Sequence, residues 1–126
     1  MRFIWVLLLG LIIIGIGVSD EILLHKTFNS LERQATAIYT ELEDNGITET
    51  STQKIEKLNR FWTKRQDSMS LFIHNEETKF LSDRIATLQA YMLKDMKDEA
   101  RVEANILFHE ISLLRRQYRF TITNIL

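Results

Sequence analysis

His74 and Glu77 stand one helical turn apart, and His109 is followed directly by Glu110. On two converging helices, such residues could hold zinc or iron. Helical bundles do this when Glu-x-x-His pairs project inward from facing helices. Here the order is reversed, His-x-x-Glu, and occurs once. His109 also falls off the apolar seam of Leu107 and Ile111, towards water. A helix-turn histidine and an exposed one are therefore expected rather than a metal centre, with His74, Glu77, His109 and Glu110 as the residues to inspect.

A second group is Arg115, Arg116, Arg119 and Phe120, with Tyr118 among them. Near an anionic membrane surface each arginine would contribute about 1 kcal/mol of attraction, and Phe120 could dip into the lipid. The plainer role is to complement the negative end of a helix dipole. The aromatic residues Trp62 and Phe72 lie at helical spacing, as core residues do. Phe61 lies off that seam and is the one aromatic there that could face a partner.

The sequence gives little to catalysis. There is no cysteine to act as nucleophile, disulfide or thiolate ligand. No glycine-rich loop follows a strand, and no serine sits on a strained elbow with a histidine and an acid in order. The many carboxylates fall on solvated faces, which give no reason to assign them a catalytic role. The chain is expected not to be an enzyme and to carry no cofactor.

What must position these residues begins with Phe3–Val18, sixteen residues without a charge or strong polar group. A spanning helix needs about 20 apolar residues for a core of ~30 Å, so this one is short. Ser19, an interfacial Trp5 and local thinning can make up the difference. A cleaved signal peptide, with Gly17-Val18-Ser19 as its small-x-small site, is the rival. A buried core helix would need covering on all sides. Residues 1–19 are thus read as a membrane anchor, or an uncleaved signal, touching lipid through residues 3–18. Arg2 at its start favours a cytoplasmic N-terminus with residues 20–126 outside. Gly15 and Ser19 form a small-xxx-small pair that would let two anchors pack.

Beyond Arg2 the chain holds 15 Lys and Arg against 17 Asp and Glu, a net charge of −2. That is no footprint for nucleic acid, which requires a basic surface. Proline is absent, and Gly46 is the one glycine outside the apolar segment, so the remainder should be almost wholly helical.

Four seams carry that helix. Leu24, Phe28, Leu31, Ala35, Ile38 and Leu42 step by 4, 3, 4, 3, 4 along one face. No breaker separates them from the anchor, and Gly46 suits the left-handed position after the last turn. Thr50 and Gln53 read as a capping box for a second seam of Ile55, Leu58, Trp62, Arg65, Met69 and Phe72. Phe72 and Leu81 are nine residues apart, which puts them on opposite faces. Either the helix breaks or kinks near Ile73-His74-Asn75, with Asn75 as the next N-cap, or one long helix buries opposite faces in its two halves; the break is the expectation favoured. The third seam is Leu81, Ile85, Leu88 and Met92. Asp98 is a further N-cap candidate, opening a fourth seam of Ala100, Ala104, Leu107, Ile111, Leu114 and Tyr118. The alternating Phe120–Leu126 reads as an extended tail. The fold expected is all-α: a transmembrane helix continuing into an antiparallel up-down bundle of three to four helices, at about 20–44, 51–73, 76–94 and 98–119, with a tail at 120–126. Matched helices of about 30–35 Å return the His74 turn and the C-terminus to the membrane end.

Trp62, Phe72-Ile73-His74-Asn75-Glu76, Leu81–Leu88, Phe108-His109-Glu110-Ile111 and the closing Phe120–Leu126 resemble the domain-of-unknown-function 4363 family. Nearly the whole chain shares the resemblance. It implies small proteins of Gram-positive, mostly spore-forming bacteria, with one N-terminal anchor and a helical remainder, and it implies no activity. The function expected is that of a non-catalytic bundle of the bacterial cell envelope that binds another envelope protein or itself. A ligand- or metal-binding bundle acting through a partner is the alternative.

Overall fold

A computed structural model describes the backbone of residues 2–71 and 73–125, with side chains at residues 3–14, 24–71 and 73–118. Every regular element among them is a helix: α1 (Arg2–Asp44), α2 (Glu49–Met69), α3 (Asn75–Leu93) and α4 (Lys97–Ile125). α1 packs on α2 and α4, and α3 packs on the same two, with no diagonal pairing among the described residues. This is a four-helix ring, up-down-up-down, closed by three short connections.

The seams meet in its centre. All six seam residues of α1 from Leu24 to Leu42 are buried. So are Ile55, Leu58, Trp62 and Met69 of α2, the four of α3, and Ala100 through Leu114 of α4. A 4,3 stepping keeps one narrow face inward over five turns, so four such helices share one core. Arg65 is half-buried, its guanidinium 5.5 Å from the centre of the Phe61 ring. Phe72 lies outside the described residues.

The connections show how the chain turns. Gly46 has φ +76°, and its N–H donates to the Leu42 carbonyl at 3.2 Å, closing α1 in the left-handed manner. Ile47 then packs on the core, which sets the start of α2. The capping box is Thr48 with Ser51, not Thr50 with Gln53. Ser51 N–H donates to Thr48 Oγ1 at 3.2 Å and Thr48 N–H donates to Ser51 Oγ at 2.8 Å. With Ile47 held against the core, the first free turn begins two residues earlier than spacing alone suggests.

α2 ends at Met69, so the break near His74 is present. The N-cap of α3 is His74 rather than Asn75, and the His74 side chain makes no capping hydrogen bond. α3 closes in a Schellman arrangement. Met96 N–H donates to Tyr91 O at 2.9 Å and Asp95 N–H to Met92 O at 3.1 Å, with Asp95 at φ 57°. Asp98 falls inside the first turn of α4, which begins at Lys97.

Two expectations on the ends are modified. Through residue 125 the extended tail expected at 120–126 is not found: α4 continues as helix to Ile125, and Leu126 lies outside the described residues. No glycine or proline interrupts residues 97–125. Each added residue gains one backbone bond, and Thr and Ile cost a helix only a few tenths of a kcal/mol. At the other end, α1 is unbroken from Arg2 to Asp44, so the apolar segment does run straight into the bundle. Among the described residues, no helix is long and apolar enough to cross a membrane. The side chains of residues 15–23, including Gly15 and Ser19, lie outside that description.

Candidate functional site

The antiparallel ring places the α1–α2 and α3–α4 connections together at one end. A Cβ on Gly46 would lie 3.4 Å from the Lys97 side chain. The other end gathers the His74 turn, the last described turn of α4 and the point where α1 leaves the bundle. There Tyr118 donates to Glu77 Oε2 and accepts from His74 N–H at 3.2 Å. Its ring stacks on Phe28, with centroids 6.1 Å apart and planes at 20°. Burial raises the Tyr118 phenol above its ordinary pKa, and the bond to Glu77 raises it further, while the His74 N–H acts the other way. One side chain therefore joins α1, α3, α4 and the α2–α3 turn.

The metal candidates do not converge. His74 is exposed at this end and Glu77 is engaged by Tyr118. His109 lies nine residues before Tyr118 on α4, about 13.5 Å along the axis. It is exposed, as expected, and its ring meets Phe108 edge-on at 5.5 Å. Glu110 is half-buried beside it. Among the described residues, no group of three or more His, Cys, Asp or Glu is placed to hold a metal.

The arginine group divides. Arg115 is held within the bundle: its Nε lies 3.0 Å from Glu32 Oε2, an ion pair without an aligned hydrogen bond. Its Nη1 donates to Asn29 Oδ1 at 3.2 Å. Arg116 is exposed, with only a long bond of 3.4 Å to its own helix at Ser112 O. The side chains of Arg119 and Phe120 lie outside the described residues.

A different site emerges between α1 and α2. A groove of about 380 Å³ is lined by Lys26, Thr27, Asn29, Ser30, Arg33, Phe61 and Arg65. It holds three cations and no acid. Four basic residues elsewhere face carboxylates: Lys54 with Glu41, Arg84 with Glu103, Arg101 with Glu43 and Arg115 with Glu32. Among the described residues, Lys26, Arg33 and Arg65 form no ion pair. Thr27 is 1% exposed, and its hydroxyl has no hydrogen-bond partner. Sequence reasoning missed this groove because its residues come from two helices. The signal available was Lys26 and Arg33 seven residues apart on one stripe of α1. Phe61 and Arg65, four apart, supply the facing wall.

Val102, Ile106 and Leu113 form an exposed apolar stripe along the outside of α4, at steps of one and two turns. Tyr39, Arg101 and Glu43 flank its far end, where Arg101 grips Glu43 with two bonds of 2.8 and 2.9 Å.

No curated protein and no solved structure matches this chain significantly. The sequence model described as domain of unknown function (DUF4363) matches residues 21–125, from the middle of α1 through the last turn of α4. The four-helix ring is thus the matched unit, and the chain belongs to the DUF4363 family.

Proposed function

We propose that this protein is a non-catalytic, membrane-tethered helical bundle of the cell envelope. Residues 3–18 take lipid as their cover, and the bundle engages another envelope protein or a second copy of itself. The observation that carries the tether is the exposure of α1 before the bundle begins. All eleven large apolar side chains from Phe3 to Ile14 are open, from 45% at Leu8 to 83% at Phe3. Full burial of that many such residues is worth on the order of 15 kcal/mol, and no element of the bundle supplies it. Lipid does, and the unbroken α1 passes the anchor's orientation to the ring. With Arg2 on the cytoplasmic side, the bundle stands outside and the His74–Tyr118 end faces the membrane.

The Val102, Ile106 and Leu113 stripe supports the partner reading, because an exposed apolar patch on a small domain commonly marks a contact surface. The metal-holding alternative has no comparable support, since His74 and His109 stand apart along the bundle.

Alkaline carbonate extraction of membranes tests the tether. The full-length chain should stay in the membrane pellet, and a chain lacking residues 3–18 should be released. Release of the full-length chain would overturn the proposal.

A further inference from the structure

We infer that the α1–α2 groove is a binding site for a phosphate-bearing ligand. Three features point there together. Lys26, Arg33 and Arg65 line one cleft of about 380 Å³ with no carboxylate among its lining. Like charges brought together without a counter-charge repel, and a bound dianion relieves that repulsion. Two guanidinium groups and an ammonium match the several oxygens of a phosphate, because guanidinium forks bind such oxyanions in pairs of bonds.

The second feature is Thr27. A buried hydroxyl without a partner costs the protein about 1–3 kcal/mol, and this one lies in the groove wall. A phosphate oxygen would accept from it once the side chains covering it shift on binding. Third, Arg65 is held over the Phe61 ring, which orders the long side chain before any ligand arrives and lowers the entropy lost on binding. Asn29 and Ser30 add polar groups to the rim.

Two sources could supply this chemistry: a free phosphate compound, or the headgroup of an anionic lipid. Lys26 is eight residues beyond Val18, about 12 Å along the helix, so a headgroup is within reach of its side chain if residues 3–18 are in lipid. The site itself does not depend on that tether.

The test uses the full-length chain. In nonionic detergent, inorganic phosphate is titrated while amide shifts are followed by NMR. In parallel, the chain is placed in nanodiscs of phosphatidylcholine with and without phosphatidylglycerol. Shifts confined to Lys26–Arg33 and Phe61–Arg65 are expected in at least one arm. Response to phosphate assigns a soluble ligand; response to phosphatidylglycerol alone assigns the headgroup. The double variant R33Q/R65Q should weaken binding at least about tenfold, as expected for lost charge-assisted bonds. K57Q/K64Q, an equal charge change at two exposed lysines outside the groove, should stay within about twofold. T27V separates recognition from folding: it should lower affinity while leaving the melting temperature unchanged or higher. Absence of localised shifts in both arms, or equal weakening by K57Q/K64Q and R33Q/R65Q, would overturn the site.

Discussion

Tyr118 on α4 donates its phenolic hydrogen to Glu77 on α3, across the end of the bundle from which the apolar part of α1 departs. The same oxygen receives the His74 N–H, and the ring lies on Phe28. Four segments thus meet at one side chain, at the end where a tethered bundle would need its helices held in register.

Replacing Tyr118 with Phe keeps the stack on Phe28 and removes both hydrogen bonds. A loss of about 1–2 kcal/mol is expected at pH 8. The pH dependence carries a sign. The folded phenol is raised above its ordinary value of 10.0. Its stabilising contribution is therefore complete below pH 10 and is lost as pH rises through the folded value, because the unfolded chain releases the proton first. Urea midpoints of wild type and Y118F between pH 8 and 11.5 should differ most at pH 8 and converge above pH 10.

Trp62 is the largest fully buried side chain, and its indole N–H donates to Ser82 Oγ at 2.7 Å. Ser82 in turn donates to the Thr78 carbonyl at 3.0 Å. Ser82→Ala leaves the indole N–H without a partner, at a cost of about 1–3 kcal/mol. Trp62→Ala removes the α2–α3 centrepiece and should cost about 3–5 kcal/mol. Chemical denaturation should rank wild type, S82A and W62A in that order.

Glu103 is 5% exposed and takes a 2.9 Å bond from Arg84, whose guanidinium also lies 4.8 Å from the centre of the Phe80 ring. Arg84→Met strands a buried carboxylate and should destabilise by about 2–4 kcal/mol. Adding Glu103→Met should recover most of that loss, since an apolar pair of similar volume replaces a desolvated ion pair with little penalty. A double-mutant cycle on unfolding free energy reads this directly.

Gly46 and Asp95 close α1 and α3 in the same left-handed conformation, at φ +76° and 57°. Gly46→Ala should cost about 1 kcal/mol, from backbone strain and from the close approach to Lys97. Asp95→Gly should move the other way, raising stability by about 0.5–1 kcal/mol. Opposite shifts in melting temperature for the two variants are the expected readout.

The bundle was legible because burial in a four-helix ring depends on one narrow face per helix, and a 4,3 stepping of Leu, Ile, Ala and Phe announces that face. The break before α3 was legible for the same reason: Phe72 and Leu81 could not share a face. The caps were not. Thr48 and Thr50 are equally good cap residues, and the choice depends on Ile47 meeting the core. The tail was misread because Phe120–Leu126 is too short for its alternation to outweigh a helix with no breaker. Spacing also says nothing about axial register between helices. So His74 and His109 could be imagined together, and the meeting of the Lys26–Arg33 stripe with the Phe61–Arg65 wall could not be foreseen.

The chain has no cysteine, so a single Glu56→Cys on the exposed face of α2 provides a unique label for the proposed topology. Intact cells expressing E56C are treated with a membrane-impermeant maleimide, and lysed cells serve as the reference. The tethered, outward-facing bundle predicts labelling of intact cells as complete as after lysis, with the label in the membrane fraction. Labelling only after lysis, or labelled chain free in the medium, would contradict it.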